Sequence, residues 1–358
     1  DACSQQDQYA RHDGATRCVK PEYVFDSKPG AGSAMPVAEG IQWLRMPLPF
    51  DLDHINLWLL EDDGGWAVVD TGISSGTSKD IWRNSFDTTM RGLPVTHVIA
   101  THLHPDHIGC AGWLTRQFDV DLWMTREEYM LARLLVADTG KPAPDEAIRF
   151  YSAAGFSDEE LHDYRERFGF FGRLVSKLPE SYVRIHENDR LAIGDHLWRV
   201  LIGRGHSPEH ACLYCKDQNL LISGDQVLPT ISANVSVWPT EPEANPLRHW
   251  LESLAALREQ IPEDVLVLPA HGKPFRGAHA RIDAIISEHL QRLEALHDHL
   301  AESCRAVDTF DVLFGRRVPD GHRVMATGEA IAHLHYLLAC GQVSAEADAR
   351  GAVWYRRA

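Results

Sequence analysis

The sequence predicts an α/β fold in which stacked sheets are covered by helices, and three observations support this prediction. Short apolar runs bounded by turn residues recur from Ile41 to Leu268, a pattern typical of strands. Amphipathic stretches with helical spacing lie between some of these runs. Hydrophobic residues make up 44% and charged residues 24% of the 358 residues, which is ordinary globular usage. Meander strands with interposed helices favour a layered α/β sandwich over a doubly wound parallel sheet.

The individual elements follow from the apolar runs in chain order. Strands are predicted at 41–47, 55–60, 66–69, 97–100, 120–124, 197–202, 211–215, 220–222 and 265–268. The run from Asp62 to Gly65 is a strong hairpin signal between the second and third of them. Helices are predicted at 78–90 and 247–260 from their apolar spacing.

Composition divides the chain into three parts, as a length of 358 residues at about 150 per domain suggests. Residues 1–36 are polar and rich in turn residues, which predicts a loose arm on the surface. The first residues lack both Met and an apolar segment, so a trimmed or partial start is expected. Residues 37–275 hold the strands and are expected to form the main domain. Residues 276–358 predict a helical C-terminal module.

A helical and aromatic insertion is predicted at 126–180, between two strands of the main domain. Ser157 and Glu160 form a capping-box signature that opens a helix running toward Phe168. An insertion of this kind can be the wall or lid of a binding site, or structural decoration. The sequence leaves both interpretations open.

The C-terminal module begins with one long amphipathic helix, because apolar residues recur at three- and four-residue intervals from Ile282 to Leu300. His289, His297 and His299 lie on its other face, which we interpret as solvated. Short helices near 307–314 and 329–339 and a β-prone tail at 353–355 resemble a small winged-helix module. Residues 281–358 contain many acids and no lysine, so we interpret the module as a structural cap or homodimer surface and not as a nucleic-acid binder.

Charge and cysteine usage exclude several classes of function. The net charge is −16, which argues against binding to nucleic acid or to an anionic membrane surface. No run of 18 apolar residues occurs, so no membrane span is predicted. Seven scattered cysteines favour thiols in a reducing cytoplasm over a disulfide framework. Cys212 and Cys215 are three residues apart on a predicted strand and therefore face opposite ways, which favours core thiols over a zinc or redox pair.

The segment THLHPDHIGC carries the strongest chemical signal, directly after the predicted strand that ends at Ala100. His102 and His104 share one side of an extended segment, whereas Asp106 and His107 follow the turn at Pro105. Four such groups can converge on two adjacent cations. Three further candidates stand at predicted strand ends: His206 in GRGHSPEH, Asp225 in LLISGDQV and His271 in LVLPAHGKP. Five imidazoles and two carboxylates suit two divalent metal ions, zinc first, with iron or manganese as alternatives.

These motifs and the segment WAVVDTG, which contains Asp70, resemble the metallo-β-lactamase superfamily over residues 37–275. The resemblance implies an αββα sandwich with the metals at one edge of the two sheets, and it makes 37–275 the catalytic domain. It implies that Asp70 supports the metal loops through hydrogen bonds. The implied ligands are His102, His104 and His206 for the first metal, Asp106, His107 and His271 for the second, and Asp225 as the bridge.

The resemblance also bears on the reaction. True β-lactamases usually carry a cysteine near the bridging position, where this chain has Asp225, so a thioesterase, lactonase or phosphodiesterase branch is favoured. The helical C-terminal module resembles the acyl-CoA and hydroxyacyl-glutathione (glyoxalase II-like) thioesterases. The expected reaction is hydrolysis of a small-molecule acyl thioester, either an acyl-CoA or a glutathione thioester. Hydroxide bridging two cations about 3.5–4 Å apart would attack the acyl carbon, with Asp106 and Asp225 as the catalytic carboxylates.

Two alternative activities stay open from the sequence. A lactonase or broad esterase needs an apolar pocket, which Trp238 and the aromatic insertion could supply. A phosphodiesterase or endoribonuclease is the second alternative, since a related architecture with a C-terminal winged helix includes endoribonucleases. Five residues are expected to line the substrate pocket: His54, His210, Trp238, Arg204 and Lys273.

Overall fold

The computed structural model of the chain describes residues 21–315 and 317–358. Two seven-stranded sheets form its centre. In chain order the strands are β1 (Glu22–Tyr23), β2 (Ala34–Ala38), β3 (Ile41–Pro47), β4 (His54–Asp62), β5 (Gly65–Val69), β6 (Val95–Ile99), β7 (Leu122–Met124), β8 (Val183–Arg184), β9 (Arg190–Ile193), β10 (His196–Gly203), β11 (His210–Cys215), β12 (Leu220–Gly224), β13 (Leu266–Pro269) and β14 (Phe275–Arg276). The first sheet has the order β2-β3-β4-β5-β6-β7-β8, and the second has the order β1-β14-β13-β12-β11-β10-β9.

Strand direction brings several strand ends to one edge of the molecule. In the first sheet β5 pairs parallel to β6, so the residues after Val69 and after Ile99 emerge at the same edge. In the second sheet β12 pairs parallel to β13 and antiparallel to β11, which is antiparallel to β10. The carboxyl ends of β10, β12 and β13 therefore also share one edge.

Large apolar side chains fill the space between the two sheets. Trp43 and Trp58 of the first sheet stack with ring centroids 6.1 Å apart, and Trp198 of the second sheet belongs to the same buried cluster. Each of these three indoles is at most 1% exposed. Burial of such side chains is the largest favourable contribution to the packing of the sheets.

Helices cover the outer face of the first sheet. They are α1 (Gly76–Asp87), α2 (Pro105–Ile108), α3 (Ala111–Phe118) and α4 (Arg126–Ala137). The next two helices, α5 (Asp145–Ala154) and α6 (Asp158–Arg167), pack against the C-terminal part of the chain, where Tyr151 and Leu161 share a buried cluster with Val307 and Val324. Trp82 of α1, Leu114 of α3 and Ala132 of α4 form one core with strand residues such as Val68 and Val98. The predicted capping box is confirmed at α6, where Ser157 and Glu160 make both reciprocal hydrogen bonds.

The second sheet is covered by the C-terminal half of the chain. Its elements are α7 (Pro246–Gln260), α8 (Ala278–His299), α9 (Phe310–Phe314), α10 (Arg323–Ala339) and the hairpin of β15 (Val343–Ala347) with β16 (Val353–Arg357). One buried cluster joins Leu221 of the sheet to Trp250, Ile282, Leu334 and Tyr355. The predicted αββα sandwich with a helical C-terminal module is confirmed, whereas the boundaries 37–275 and 276–358 stay predictions.

Several sequence-based expectations need correction. Part of the predicted arm joins the sheets, because β1 pairs with β14 and β2 pairs with β3; residues 1–20 lie outside the described residues. His289 is fully buried and not solvated, since α10 packs on the face of α8 that carries it.

Cys212 and Cys215 lie in different buried clusters on the two sides of β11, as predicted. Over the described residues, every helix is too short or too polar to cross a bilayer.

Candidate metal centre

The loops that follow β6, β10, β12 and β13 meet at the shared edge of the sheets and carry all seven predicted ligands. His102 and His104 lie between β6 and α2, and Asp106 and His107 lie within the single turn of α2. Asp225 follows Gly224, whose φ of +50° places it in the left-handed region. A Cβ at Gly224 would lie 2.4 Å from Nε2 of His210, so both conformation and space require glycine directly before Asp225.

Three imidazoles and one carboxylate form the first donor group, which consists of His102, His104, His206 and Asp225. Nε2 of His102 lies 2.9 Å from Nδ1 of His104 and 3.3 Å from Nε2 of His206. Oδ2 of Asp225 lies 3.4 Å from Nε2 of His206. One donor atom from each side chain lies within 4.8 Å of the others, so these atoms converge on one small volume.

Asp106, His107 and His271 form the second donor group. Oδ2 of Asp106 lies 3.4 Å from Nε2 of His271 and 3.7 Å from Nε2 of His107. Asp225 faces this group too: its Oδ2 lies 3.6 Å from Nε2 of His107 and its Oδ1 lies 3.5 Å from Nε2 of His271. The Asp225 carboxylate thus lies between two donor groups, as the sequence resemblance implied.

Two of the converging donor atoms lack a hydrogen-bond partner among the described residues. Nε2 of His107 and Oδ1 of Asp225 are buried and find no hydrogen-bond partner within residues 21–315 and 317–358. A buried polar atom that lacks a partner is costly unless a ligand such as a cation satisfies it. Imidazole and carboxylate donors of this number suit divalent cations, and the residues therefore fit the metals that the sequence predicted.

The charges around the second donor group also favour a cation. Burial opposes ionisation, yet the carboxylates of Asp70, Asp106 and Asp225 raise the pKa of His107 well above its ordinary value. Burial likewise opposes charge on Asp106, but His107 and His271 lower its pKa to about 2. In the first group, burial and the neighbouring imidazole of His206 lower the pKa of His104 to about 3. A neutral imidazole offers the lone pair that a metal requires.

Comparison with known proteins agrees with this geometry. The family profile described as "Metallo-beta-lactamase superfamily" matches residues 50–272. The chain belongs to the metallo-beta-lactamase superfamily. A second profile, "Metallo-beta-lactamase-like, C-terminal domain", matches residues 293–358. Membership of this superfamily supports a metal-dependent hydrolase.

This superfamily member is similar to proteins of solved structure and to curated proteins, as three examples illustrate. A beta-lactamase domain protein from Burkholderia ambifaria is 43% identical with a TM-score of 0.87, covering 94% of this chain and 98% of that one. A metallo-beta-lactamase family protein from Thermus thermophilus is 26% identical with a TM-score of 0.75, covering 90% and 99%. Acyl-coenzyme A thioesterase MBLAC2 from Homo sapiens is 24% identical over 201 residues, which are 53% of this chain and 64% of the human protein.

Hydrogen bonds from the opposite ring nitrogens fix the orientation of three histidines of this superfamily member. Oδ2 of Asp70 accepts from Nδ1 of His107 at 2.8 Å, and its carboxylate also accepts from Thr101. The carbonyl of Asn234 accepts from Nδ1 of His206 at 2.7 Å, and the carbonyl of His54 accepts from Nδ1 of His271 at 2.7 Å. Each bond leaves Nε2 directed toward the donor groups, which is how metal-binding histidines are usually held.

Glu128 of α4 is a supporting residue that the sequence analysis missed. It is fully buried, and its Oε2 accepts from the main-chain N–H of Leu103 at 2.9 Å. Its Oε1 accepts from the main-chain N–H of Glu209 at 2.7 Å. Burial raises the pKa of Glu128 to about 7, although these N–H groups favour the charged form. One side chain of the predicted insertion thus joins the loop of His102 and His104 to the loop of His206.

Asn56 of β4 is the second missed residue, and it holds the loop of His271. Its side-chain amide donates to the carbonyls of Pro269 and Gly272, each at 2.8 Å, on either side of His271. Trp43 in turn donates to the Asn56 side chain at 2.7 Å. A polar residue within the apolar run HINLWLL was the signal that could have revealed it.

The five predicted pocket residues have unequal outcomes. His210 is fully buried: its Nε2 accepts from the main-chain N–H of Asp225 and its ring packs on His102, and its place in the substrate pocket stays a prediction. Arg204 donates to the carbonyl of Pro208 and closes the loop of His206. Lys273 donates to the carbonyls of Phe25 and Asp26. Contact with substrate stays a prediction for His54, Arg204, Lys273 and Trp238, and Trp238 is 37% exposed.

Proposed function

We propose that this protein is a binuclear metal-dependent hydrolase that cleaves acyl thioesters such as an acyl-CoA. The position of Asp225 carries the proposal, since its carboxylate lies within 3.6 Å of imidazole nitrogens from both donor groups. A carboxylate shared in this way is suited to bridging two cations. The name of the human relative supplies the substrate class that we adopt.

The donor groups determine what each residue contributes. His102, His104 and His206 bind one cation and Asp106, His107 and His271 bind the other, with zinc as the expected metal. Divalent cations held there supply Lewis acidity toward the acyl carbonyl and make hydroxide available near neutral pH. Asp70, Asn56 and Glu128 keep the ligands in place before substrate arrives, which avoids reorganisation during the reaction.

Asp106 is the carboxylate best placed to exchange a proton with substrate or solvent. Its side chain is 21% exposed, compared with 10% for Asp225 and 2% for Asp70. A thiolate leaves with little protonation, whereas an amide nitrogen needs a strong acid on the protein. One partly exposed carboxylate therefore suits a thioester better than an amide.

The test combines metal analysis with a substrate panel. Protein purified without chelators is expected to contain about two equivalents of divalent metal, and to hydrolyse acyl-CoAs faster than lactones, a chromogenic β-lactam or a phosphodiester. Asp225→Asn removes the charge shared by the two donor groups and should abolish turnover and lower the metal content. Asp217→Asn serves as a matched control, because Asp217 is an exposed aspartate in the turn between β11 and β12.

Two results would contradict the proposal. Absence of bound metal in protein that still hydrolyses thioesters would remove its mechanism. Turnover confined to the phosphodiester would retain the metal centre but reject the thioester substrate.

A further inference from the structure

The irregular segment between β12 and α7, residues 225–245, lies against the C-terminal helices. The main-chain N–H of Val237 donates to the carbonyl of Gly328 at 3.0 Å. The Ser236 hydroxyl lies 2.6 Å from Oδ1 of Asn234 and 3.1 Å from the carbonyl of Met325, and it has one proton to donate between them. A Cβ at Gly328 would lie 2.7 Å from Cβ of Ser236 and 2.8 Å from the carbonyl oxygen of Val237. Main-chain atoms of α10 at Gly328 therefore contact this segment directly.

The same segment orients His206, a ligand of the first donor group. The carbonyl of Asn234 accepts from Nδ1 of His206 at 2.7 Å. A carbonyl can only accept, so this bond places the proton on Nδ1 and directs the Nε2 lone pair toward His102 and Asp225. Displacement of the Asn234 carbonyl would release that orientation.

Glu329 of α10 holds Asn234 from the other side. Its Oε2 accepts from the side-chain amide of Asn234 at 2.8 Å, and its Oε1 accepts from Nη1 of Arg292 on α8 at 3.3 Å. The Glu329 side chain is only 13% exposed, so these contacts are shielded from water. A continuous hydrogen-bonded path thus runs from α8 and α10 through Asn234 to His206.

A second buried contact holds the same segment at Ser232. Nδ1 of His333 donates to the carbonyl of Glu329 at 2.8 Å, so its Nε2 is an acceptor for Nδ1 of His289 at 3.3 Å. Nε2 of His289 lies 3.2 Å from the hydroxyl of Ser232. Burial, aided by the neighbouring Arg292, lowers the pKa of both imidazoles, that of His333 to about 4.

We propose that Glu329 is a positioning residue for the metal centre: it acts through Asn234 to orient His206, so that the C-terminal helices complete the first donor group. This inference rests on the proposed metal binding. It gives the C-terminal module a function in building the site, beyond covering the second sheet.

The test measures metal affinity in the full chain by competition with a chelator, together with the visible absorption spectrum of the cobalt(II)-substituted protein. Glu329→Ala removes the acceptor for Asn234 and is expected to weaken the first-group affinity about tenfold. It should also change the cobalt spectrum. Glu329→Gln keeps one carbonyl oxygen for Asn234 and should restore most of the affinity. Glu294→Ala on α8 is the matched control, because Glu294 is exposed.

Asn234→Ala removes the same hydrogen bond from the opposite side, together with the bond that its Oδ1 accepts from Ser236 at 2.6 Å, and it tests the inference if Glu329→Ala does not fold. The effect of the double variant should be smaller than the sum of the two single effects, because both variants remove the Glu329–Asn234 hydrogen bond. Unchanged affinity and spectrum in both variants would overturn the inference, and so would equal losses for Glu329→Gln and Glu329→Ala. Absence of metal binding by the unaltered chain would instead refute the proposed function.

Discussion

Glu128 shows how one buried side chain holds the metal loops together. Both of its carboxylate oxygens accept main-chain hydrogen bonds, one from Leu103 and one from Glu209. Glutamine at this position offers only one acceptor, because its amide nitrogen is a donor that faces another N–H. Glu128→Gln is therefore expected to leave one buried N–H without a partner and to lower the free energy of unfolding by about 1–3 kcal/mol.

Denaturant unfolding and zinc affinity measure this effect, and both should decrease in Glu128→Gln. Glu127→Gln is the control, because the neighbouring Glu127 side chain is exposed. Equal unfolding free energies for the two variants would show that Glu128 does not hold the loops.

The sequence predicted the donors of the site but not their supports. His102, Asp225 and His271 follow strand ends and are candidate ligands by residue type, and a glycine adjoins both Asp225 and His271. Glu128 and Asn56 act on main-chain groups far away in sequence, 25 residues for Glu128 to Leu103 and 213 for Asn56 to Pro269. A contact with a main-chain N–H or carbonyl leaves no trace in the identity of the partner residue, so the sequence can mark Asn56 as unusual in its strand but cannot show what it contacts.

At the scale of elements, hydrophobic periodicity predicted most long helices and strands well and the short ones poorly. Strands β8 and β9 have two and four residues, too few for an alternating pattern to be recognised. Helix α10 begins at Arg323, six residues before the predicted start near Glu329. Thr327 and Gly328 are weak helix formers, and close packing of Gly328 against Ser236 overrides that preference.

Helix α6 offers a local test of an element that was predicted from its cap. Ser157 accepts from the N–H of Glu160, whose side chain accepts from the N–H of Ser157 at 2.7 Å. Among the residues of α6, Leu161 is the buried one, so the cap is an important part of its stability. Ser157→Ala should destabilise the helix by about 1 kcal/mol. Hydrogen exchange of the α6 amides is then expected to accelerate.

Ser157→Thr keeps a hydroxyl cap and is the matched control for this change. Metal content should be the same in both variants, because neither Ser157 nor Glu160 contacts the donor groups in the hydrogen bonds described above. Equal exchange rates in the alanine variant and the unaltered chain would contradict the importance of the cap.

At the scale of the whole molecule, the C-terminal helices and the second sheet share one buried cluster, which contains Leu221, Trp250 and Leu334. A shared core predicts that both parts unfold together, as small cooperative units do. Leu334 is 0% exposed, so Leu334→Ala should lower the free energy of unfolding by about 2–5 kcal/mol. The substitution lies in the C-terminal module, yet it should lower the unfolding temperature of the sheets as well.

Far-ultraviolet circular dichroism and tryptophan fluorescence, recorded during thermal unfolding at one fixed metal concentration, test this prediction. Both signals should shift to lower temperature together, because the ten tryptophans include Trp43 between the sheets and Trp250 in the cluster that contains Leu334. Met325→Ala on the same helix is the control, since Met325 is 44% exposed and should change the unfolding free energy by less than about 0.5 kcal/mol. Two separate transitions in Leu334→Ala would mean that the C-terminal helices unfold independently of the sheets. Such independence would also weaken the case that these helices position His206, because a module that opens alone cannot hold the Asn234 carbonyl in place.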